Sequence, residues 1–492
     1  MKQDDSHPGG VAFKIINNTA AFIGGEFFYH FINFISGILV ARSLGKEQYG
    51  EFSFIFVYLS FFEIFVQFGM NSILTRQLAQ KKESAPKLLG NAVLLRLVLI
   101  GGIFPVVLFL IRLLGYPLSV QQGVLIASFQ LFLGVRSIYE TIFRANLLMI
   151  YPALWNGLRA ILNLLVIAGV AHFQPSLSFF ILSYLGTGFI GLVGIIVSSH
   201  RLTPITFGWD WNLTKSLIRE SAPLVFSGYL TLLYYRIDVF MLSVMKTFSD
   251  VGHYSVATRL TESLDIVSTS LMISLFPLLS RAFKEDRPRF DRLLSKAFEG
   301  LLLVGLPMAL GGTIVAKDLI VPLFGMEYAA SGTTLGILFW YTFFGFFSTC
   351  LVNVLIVCGR QVVDAWVSFF LVLGNVGMNF FLIPRYSYNG AAIATVLTEV
   401  IGTSVMLIYA LRHPAIRFPF PAQGLWTALK VNSVFLLSLL ALKALFQIHV
   451  AWFILIGIFI YALLILGMRL VSFRDLRSYF AYGMKVMSGA RT

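Results

Sequence analysis

The chain of 492 residues is 58% hydrophobic and only 12% charged, with a mean hydropathy of +0.83. A soluble protein of this length needs far more charge to cover its surface, so water-soluble enzymes and binding modules are excluded and an integral membrane protein is indicated. The net charge of +14 does not point to nucleic acid, because the basic residues stand in short clusters between apolar runs, where they report topology.

The polar start, MKQDDSHPGG, lacks the basic opening and small-residue cleavage pattern of a signal peptide, so the first apolar helix is expected to be retained. A crossing needs about 20 mostly apolar residues. Fourteen runs meet this: 19–42, 51–73, 90–112, 123–143, 152–173, 178–200, 222–245, 253–277, 296–316, 332–357, 362–383, 390–411, 428–447 and 451–470. The expected fold is therefore all-α and membrane-embedded.

The Lys and Arg residues between these runs set the orientation. One side carries 25 of them, including Arg76, Lys87, Arg144, Arg201, Arg281, Arg287, Arg360, Arg412 and both termini; the other carries 6, Arg42, Lys46, Arg112, Lys246, Lys317 and Arg385. The rich side is cytoplasmic by the positive-inside rule, which puts both termini in the cytoplasm; the expected location is the cell inner (plasma) membrane. The longest external loop, 316–331, is too short for a catalytic domain, and the longest internal ones, 201–221 and 278–295, read as basic amphipathic connectors. Function must lie among the helices.

A repeat organises them. Gly50-Glu51-Phe52-Ser53 follows the first run and Gly252-His253-Tyr254-Ser255 the seventh, 202 positions later. The same offset carries Ser60, Glu63 and Gln67 onto Glu262, Asp265 and Thr269, a spacing that places each set on one helical face. The first run carries a polar stripe of Glu26, His30 and Asn33, matched at offset 201 by Ser227, Thr231 and Tyr234; one turn further on Gly37 meets Asp238 and the match fails. Both copies begin on the basic side, so this is a parallel duplication of six helices plus six. The expected division is residues 1–210, residues 211–412, and two appended helices with a tail over 413–492.

The stretches SGILVARSLGKEQYGEFSF (36–54), YYRIDVFMLS and VGHYSVATRLTE (within 234–262), LFPLLSR (275–281), LFGMEY (323–328) and NFFLIPRYSYNGAAIATVLTE (379–399) resemble, in order and spacing, the polysaccharide-exporter family of the multidrug/oligosaccharidyl-lipid/polysaccharide flippase superfamily. The resemblance implies two six-helix lobes around a central cavity, rocking between inward-open and outward-open states. It also implies a polyprenyl-pyrophosphate-linked oligosaccharide as cargo for cell-surface polysaccharide biosynthesis. It carries over no functional residue, so site residues are read from local physics.

Within the runs stand Arg96, Arg136, Arg159, Arg236, Arg259 and Lys443, with Glu26, Glu63, Glu140, Asp238, Glu262, Asp265 and Glu399. Each central charge costs roughly 2.5–3.5 kcal/mol on insertion scales, so they must pair, snorkel or line a wet cavity. Arg136, Glu140 and Arg144 equally form an intrahelical ladder, Lys443 snorkels at the end of an appended helix, and Glu262 can pair with Arg259 one turn away. Arg236 and Asp238 project about 200° apart, so one faces the cavity and the other a neighbouring helix. Glu63, Asp265 and Glu399 lie near mid-membrane without a cation one turn away; with His30, the only histidine at that depth, they are the candidates for coupling to a proton or sodium gradient.

Arg96, Arg136 and Arg159 lie roughly 9–11 Å from the inner edge, counting 1.5 Å per residue, and Arg236 and Arg259 nearer the outer ends. Guanidinium groups suit a pyrophosphate, so these five are the candidate cargo-binding residues, the first three capturing and the other two receiving. The bland alternative is that they only pair with Glu140, Glu262 and Asp238. No catalytic residue, metal ligand set or phosphate loop is found, so no cofactor and no ATP use are expected. Cys350 and Cys358 read as small buried apolar residues.

The expected function is thus a flippase, not an enzyme. Its expected partners are the lipid-linked oligosaccharide, membrane lipids, a proton or sodium ion and a glycan polymerase of the same pathway, with no nucleic acid. Alternatives are a cation- or proton-coupled small-molecule exporter of the same fold, a membrane glycan polymerase or ligase, and an interaction scaffold.

Overall fold

The computed structural model describes residues 8–80, 84–414, 416, 418, 420–446 and 448–468, with side chains from Gly24 onward apart from that of Ser227. The side chain of Lys14, the basic residues Lys2, Lys81, Lys82 and Arg417, those of the tail (Arg469, Arg474, Arg477, Lys485, Arg491) and both termini lie outside this set.

All elements among the described residues are helical: α1 (Pro8–Gln67), α2 (Met70–Gln80), α3 (Ala85–Leu113), α4 (Leu118–Ala127), α5 (Gln130–Leu133), α6 (Arg136–Ala145), α7 (Ile150–Phe173), α8 (Leu177–His200), α9 (Trp211–Met245), α10 (Phe248–Leu264), α11 (Ile266–Glu285), α12 (Arg287–Phe324), α13 (Ser331–Val357), α14 (Gln361–Arg412), α15 (Ala422–Leu445) and α16 (Val450–Gly467). Among the described residues twelve helical stretches are long and apolar enough to cross a membrane, against the fourteen expected. The difference has a local cause. Two stretches, Gly24–Gln80 and Gln361–Arg412, run 57 and 52 residues, about 75–85 Å at 1.5 Å per residue and far beyond one bilayer. Each is two helices joined across a kink at one non-helical residue, Gly45 (φ 71°, ψ 174°) or Ser387 (φ 50°, ψ −133°). The left-handed φ at position 45 is open to glycine and strained for other residues.

The outward faces are apolar, as lipid contact requires. On α16, Trp452, Leu455, Ile458 and Phe459 are all more than half exposed, a surface that would aggregate in water.

The connectors on the basic side are pinned rather than loose. Asp210 caps α9 by accepting from the Asn212 and Leu213 amides, while its own carbonyl accepts from Asn91 Nδ2 at 2.8 Å. Asp286 turns α11 into α12 and caps the latter through the Arg289 amide. On the opposite side the stretch expected as the longest loop is helical to Phe324, followed by a short 3-10 turn, Met326–Tyr328, whose Tyr328 is buried.

The chain forms two compact units, Met1–Ser255 and Val256–Thr492. The first holds α9 and the start of α10 besides everything before them. Its packing is tight where glycines face side chains: a Cβ built on Gly123 would lie 2.4 Å from Ile55 and 3.4 Å from Ile181. The core of the second unit lies among α11, α12, α13 and α14, around Met272, Leu279, Leu294, Phe298, Phe346, Leu351 and Met406. The appended helices α15 and α16 pack on α12 through Phe435, Leu439, Phe453 and Val315. Lys443, expected to snorkel, is anchored there as well: its ammonium donates to Asp318 Oδ2 and the Ile314 carbonyl, both at 2.7 Å.

Candidate functional site

In the first unit the duplicated helix pattern is interrupted twice, and Arg96 sits where the interruptions meet. The helix α1 ends at Gln67, and Phe68 and Gly69 take left-handed φ values of 48° and 63° before α2 begins. The span 118–145 is likewise broken into α4, α5 and α6. Breaks of this kind free backbone carbonyls from the regular helical pattern. Arg96, 0% exposed, donates at both: from Nη1 to the Gly134 carbonyl at 2.7 Å, which also accepts from the Ser137 amide, and to Ser137 Oγ at 2.5 Å, and from Nη2 to the Gln67 carbonyl at 3.1 Å and Asn71 Oδ1 at 3.3 Å. Gln67 in turn donates from Nε2 to Glu63 at 2.9 Å, so Glu63 ends the same web and lies within electrostatic reach of Arg96.

A second polar chain begins one residue before Ser137, on another face of α6. Arg136, 8% exposed, holds Glu140 at 2.9 Å through Nε, and Arg144 approaches the other oxygen of Glu140 at 3.8 Å, which is the intrahelical ladder. From Nη2, Arg136 also donates to Asn156 Oδ1 on α7, and Asn156 Nδ2 donates to Glu26 Oε1 on α1 at 3.2 Å. His30 Nε2 stands 3.8 Å from the other Glu26 oxygen. Arg159, one turn beyond Asn156 and half-buried, donates to the Tyr29 hydroxyl and lies over its ring at 5.2 Å. Gly191 of α8 brings the two arginines together: a Cβ there would lie 3.1 Å from both Arg136 Nη1 and Arg159 Cδ. By formal charge three guanidinium groups (Arg136, Arg159 and the half-exposed Arg144) stand against two carboxylates (Glu26, Glu140), one more cation than anion. An uncompensated cation in a low-dielectric setting favours an anionic ligand, and planar guanidinium groups bind phosphate oxygens in pairs.

Arg236 and Asp238 point apart, as their spacing requires. Asp238 is buried, accepting from the Tyr254 hydroxyl at 2.6 Å, and Arg236 is half-buried.

In the second unit Asp265 occupies the turn between α10 and α11, and Glu262 and Glu399 both lie within electrostatic reach of it. Glu399 of α14 is buried, with its Oε1 4.0 Å from where a Cβ on Gly345 would stand. Arg259 is half-buried on α10, one turn before the exposed Glu262.

Seven of the nine expected residues therefore fall into three groups. Arg136 and Arg159 are linked with Glu26 and His30, while Glu63 lies within electrostatic reach of Arg96 and Glu399 within reach of Asp265; Arg236 and Arg259 belong to none of the three. Within this grouping Arg96 has both Nη atoms taken up by protein oxygens. Tyr29, Asn156, Asn71, Ser137 and Gly191 escape a reading of charge alone; only Asn156, three residues before Arg159, carried a local signal. Asn33 of the expected stripe donates to the Tyr29 carbonyl of its own helix at 2.9 Å.

Comparison with known proteins agrees with this architecture. The chain is 22% identical over 455 residues to the "Probable low-salt glycan biosynthesis flippase Agl15" of Haloferax volcanii, covering 87% of this chain and 90% of that protein. It is 24% identical over 429 residues to the "Probable flippase AglR" of the same organism, covering 81% and 83%. Among solved structures, its fold matches the lipid II flippase MurJ in an inward closed conformation at a TM-score of 0.77 and 16% identity, over 90% of this chain and 97% of that one. It also matches an inward-facing multidrug resistance MATE family transporter of the MOP superfamily at a TM-score of 0.65 and 15% identity, over 77% and 93%. A MatE family model matches residues 223–381. The polysaccharide biosynthesis protein family model matches residues 15–283, more than half of the 492-residue chain, and the protein belongs to that family.

Proposed function

We propose that the protein is a flippase that carries a polyprenyl-pyrophosphate-linked oligosaccharide from the cytoplasmic to the outer leaflet, by alternating access, for cell-surface polysaccharide biosynthesis. The observation that carries this reading is the convergence of Arg136 and Arg159 on Gly191 with one positive charge in excess. A diphosphate presents two anionic groups to such a pair, and a drug-like cation would be repelled by it. The names of the two Haloferax volcanii relatives agree.

In this reading residues 1–210 and 211–412 are the two moving lobes, both termini are cytoplasmic, and the protein sits in the cell inner membrane. Arg136 and Arg159 capture the pyrophosphate, Arg236 and Arg259 receive it, and Arg96 holds the broken helices behind the capture site. Asp265 and Glu399, with Glu63 and His30, couple the cycle to a proton or sodium gradient. No chemistry is done on the cargo, and a glycan polymerase takes it over outside.

Reconstituted vesicles carrying a labelled polyprenyl-pyrophosphate glycan test the reading: protein-containing vesicles should expose label to an external enzyme faster than empty ones, and equal rates would sink it. A second reading, a cation-coupled exporter of small molecules, is favoured by the MatE match over residues 223–381 and by the carboxylates around Asp265. It requires drug susceptibility to change on expression while glycan export is unaffected by deletion.

A further inference from the structure

Two glycines related by the duplication cross each other's partner strand of backbone. A Cβ built on Gly50 would lie 1.8 Å from the carbonyl oxygen of Phe248, and one on Gly252 would lie 2.0 Å from the carbonyl oxygen of Lys46. The offset of 202 residues that maps Gly50 onto Gly252 also maps Lys46 onto Phe248 (46 + 202 = 248; 50 + 202 = 252). The contact is therefore reciprocal: equivalent residues of the two copies meet equivalent residues, as in a two-fold interface. No side chain fits at either glycine, because the obstructing atoms are backbone and cannot rotate away. The crossing lies just past the kink of α1 at Gly45 and where α9 gives way to α10, at the end of the helices that carries few basic residues.

The surroundings close this end further. Tyr116, in the connector before α4, shares a hydrogen bond with Ser243 of α9 at 2.8 Å, and its ring lies 4.6 Å from that of Phe54, which also faces Phe240 and Phe248. The crossing itself is made of backbone. Contacts between backbone atoms of this kind are individually weak, so the crossing can close and release.

We infer that the Gly50–Gly252 crossing is the outer gate of the transport cycle, which must part for the cargo to leave and can reclose only while both positions lack a side chain. The inference rests on the transporter reading, with the arginine-poor end outermost. It assigns a function to the repeated Gly-x-x-Ser stretches themselves: the two copies mark the point at which the lobes separate.

The test uses the full-length protein with Cys350 and Cys358 replaced by alanine and with Ser255→Cys as a reporter, since Ser255 is buried one turn past Gly252. Gly50→Val and Gly252→Val, separately, should raise labelling of that cysteine by an external membrane-impermeant maleimide at least fivefold and lower glycan flipping at least tenfold. Unchanged labelling and flipping in both variants overturns the proposal. Should either variant fail to accumulate in the membrane, Tyr116→Cys with Ser243→Cys decides, because both glycines are then native. Bridging that pair with a short cleavable thiol reagent should stop flipping, and cleavage should restore it; undiminished flipping through the bridge overturns the gate. The labelling readout needs no cargo. If labelling responds but the unmodified protein flips no lipid-linked glycan, the gate stands and the cargo assignment falls.

Discussion

Arg96 and Gly134 are joined by a 2.7 Å hydrogen bond from a guanidinium nitrogen to a backbone carbonyl, deep in the first unit and 0% exposed at the arginine. The same guanidinium also donates to the Gln67 carbonyl, so one side chain bonds backbone oxygens at both interruptions, at Phe68 and Gly69 and between α5 and α6. A donor supplied from the side supports irregular backbone that lipid would not. The residue that insertion energetics marks as expensive is the one that makes the irregular backbone tolerable.

The first prediction follows directly. Arg96→Met removes the donors, leaving the Gln67 carbonyl without its guanidinium partner, while Gly134 and Asn71 lose one donor each and keep Ser137. Each buried group left unsatisfied costs about 1–3 kcal/mol, so the melting temperature of the purified protein should fall clearly. Arg96→Lys, which retains the charge and up to three donors, should recover part of the loss. A melting temperature for Arg96→Met equal to that of the unmodified protein would show that water or lipid headgroups satisfy these oxygens instead.

The second prediction separates geometry from charge at the capture site. Gly191→Leu alters no charge but forces Arg136 and Arg159 apart, since even a Cβ would touch both at 3.1 Å. A charge-assisted hydrogen bond contributes about 1.5–3 kcal/mol, so binding of the lipid-linked glycan from the cytoplasmic side should weaken roughly ten- to hundredfold. Arg136→Gln and Arg159→Gln should do the same, whereas Arg236→Gln should slow outward release more than it weakens capture. Native-like affinity in Gly191→Leu would place the pyrophosphate elsewhere.

How much of this was legible in the sequence depends on separation along the chain. The ladder Arg136–Glu140–Arg144 is local, so spacing alone reveals it. The continuation through Asn156 to Glu26 spans 130 residues, and the Arg96 web joins α3 to residues of three other elements. Neither leaves a periodic trace. Hydropathy located the apolar runs but not the breaks inside them, because an interruption such as Phe68 is a change of φ within sequence that stays apolar. Lys443 shows the same limit: it lies at the end of its helix as its position suggests, yet its bond to Asp318 crosses 125 residues. The reciprocal glycines were visible as a repeat; only the fold shows that the copies touch.

The third prediction concerns coupling. Of the carboxylates near mid-membrane, Asp265 and Glu399 lie within electrostatic reach of each other, and Glu63 belongs to the Arg96 web of the first unit. A carboxylate beside another carboxylate holds a proton more readily than one within electrostatic reach of a guanidinium. Asp265→Asn and Glu399→Gln should therefore each abolish the dependence of flipping on an imposed proton or sodium gradient, and Glu63→Gln should reduce it less. Gradient-dependent flipping that survives Glu63→Gln, Asp265→Asn and Glu399→Gln combined would exclude all three.

The last prediction is a pH dependence outside the membrane spans. Cys358 lies in the short connector between α13 and α14, where partial burial lifts its thiol to about 11, against the opposing pull of Arg287 and Arg360. A raised thiol pKa means that the neutral form persists through the physiological range and the thiolate appears only as the pH approaches the shifted value. At pH 8 the reactive fraction is on the order of one in a thousand. Alkylation of Cys358 by iodoacetamide should accordingly be slow at neutral pH and rise about tenfold per pH unit between 7 and 10, without a plateau in that range. Arg287 also donates to the Ile416 carbonyl and lies over the rings of Phe283 and Phe290, so it is held in place near the sulfur. Arg287→Gln should therefore slow alkylation further at each pH, because it removes a cation that favours the thiolate. A rate that levels off near pH 8.5, as for an exposed cysteine, would show that this corner opens to water, and the contacts of Ile416 and Phe418 with Arg287 and Phe298 of α12 would then have to be dynamic.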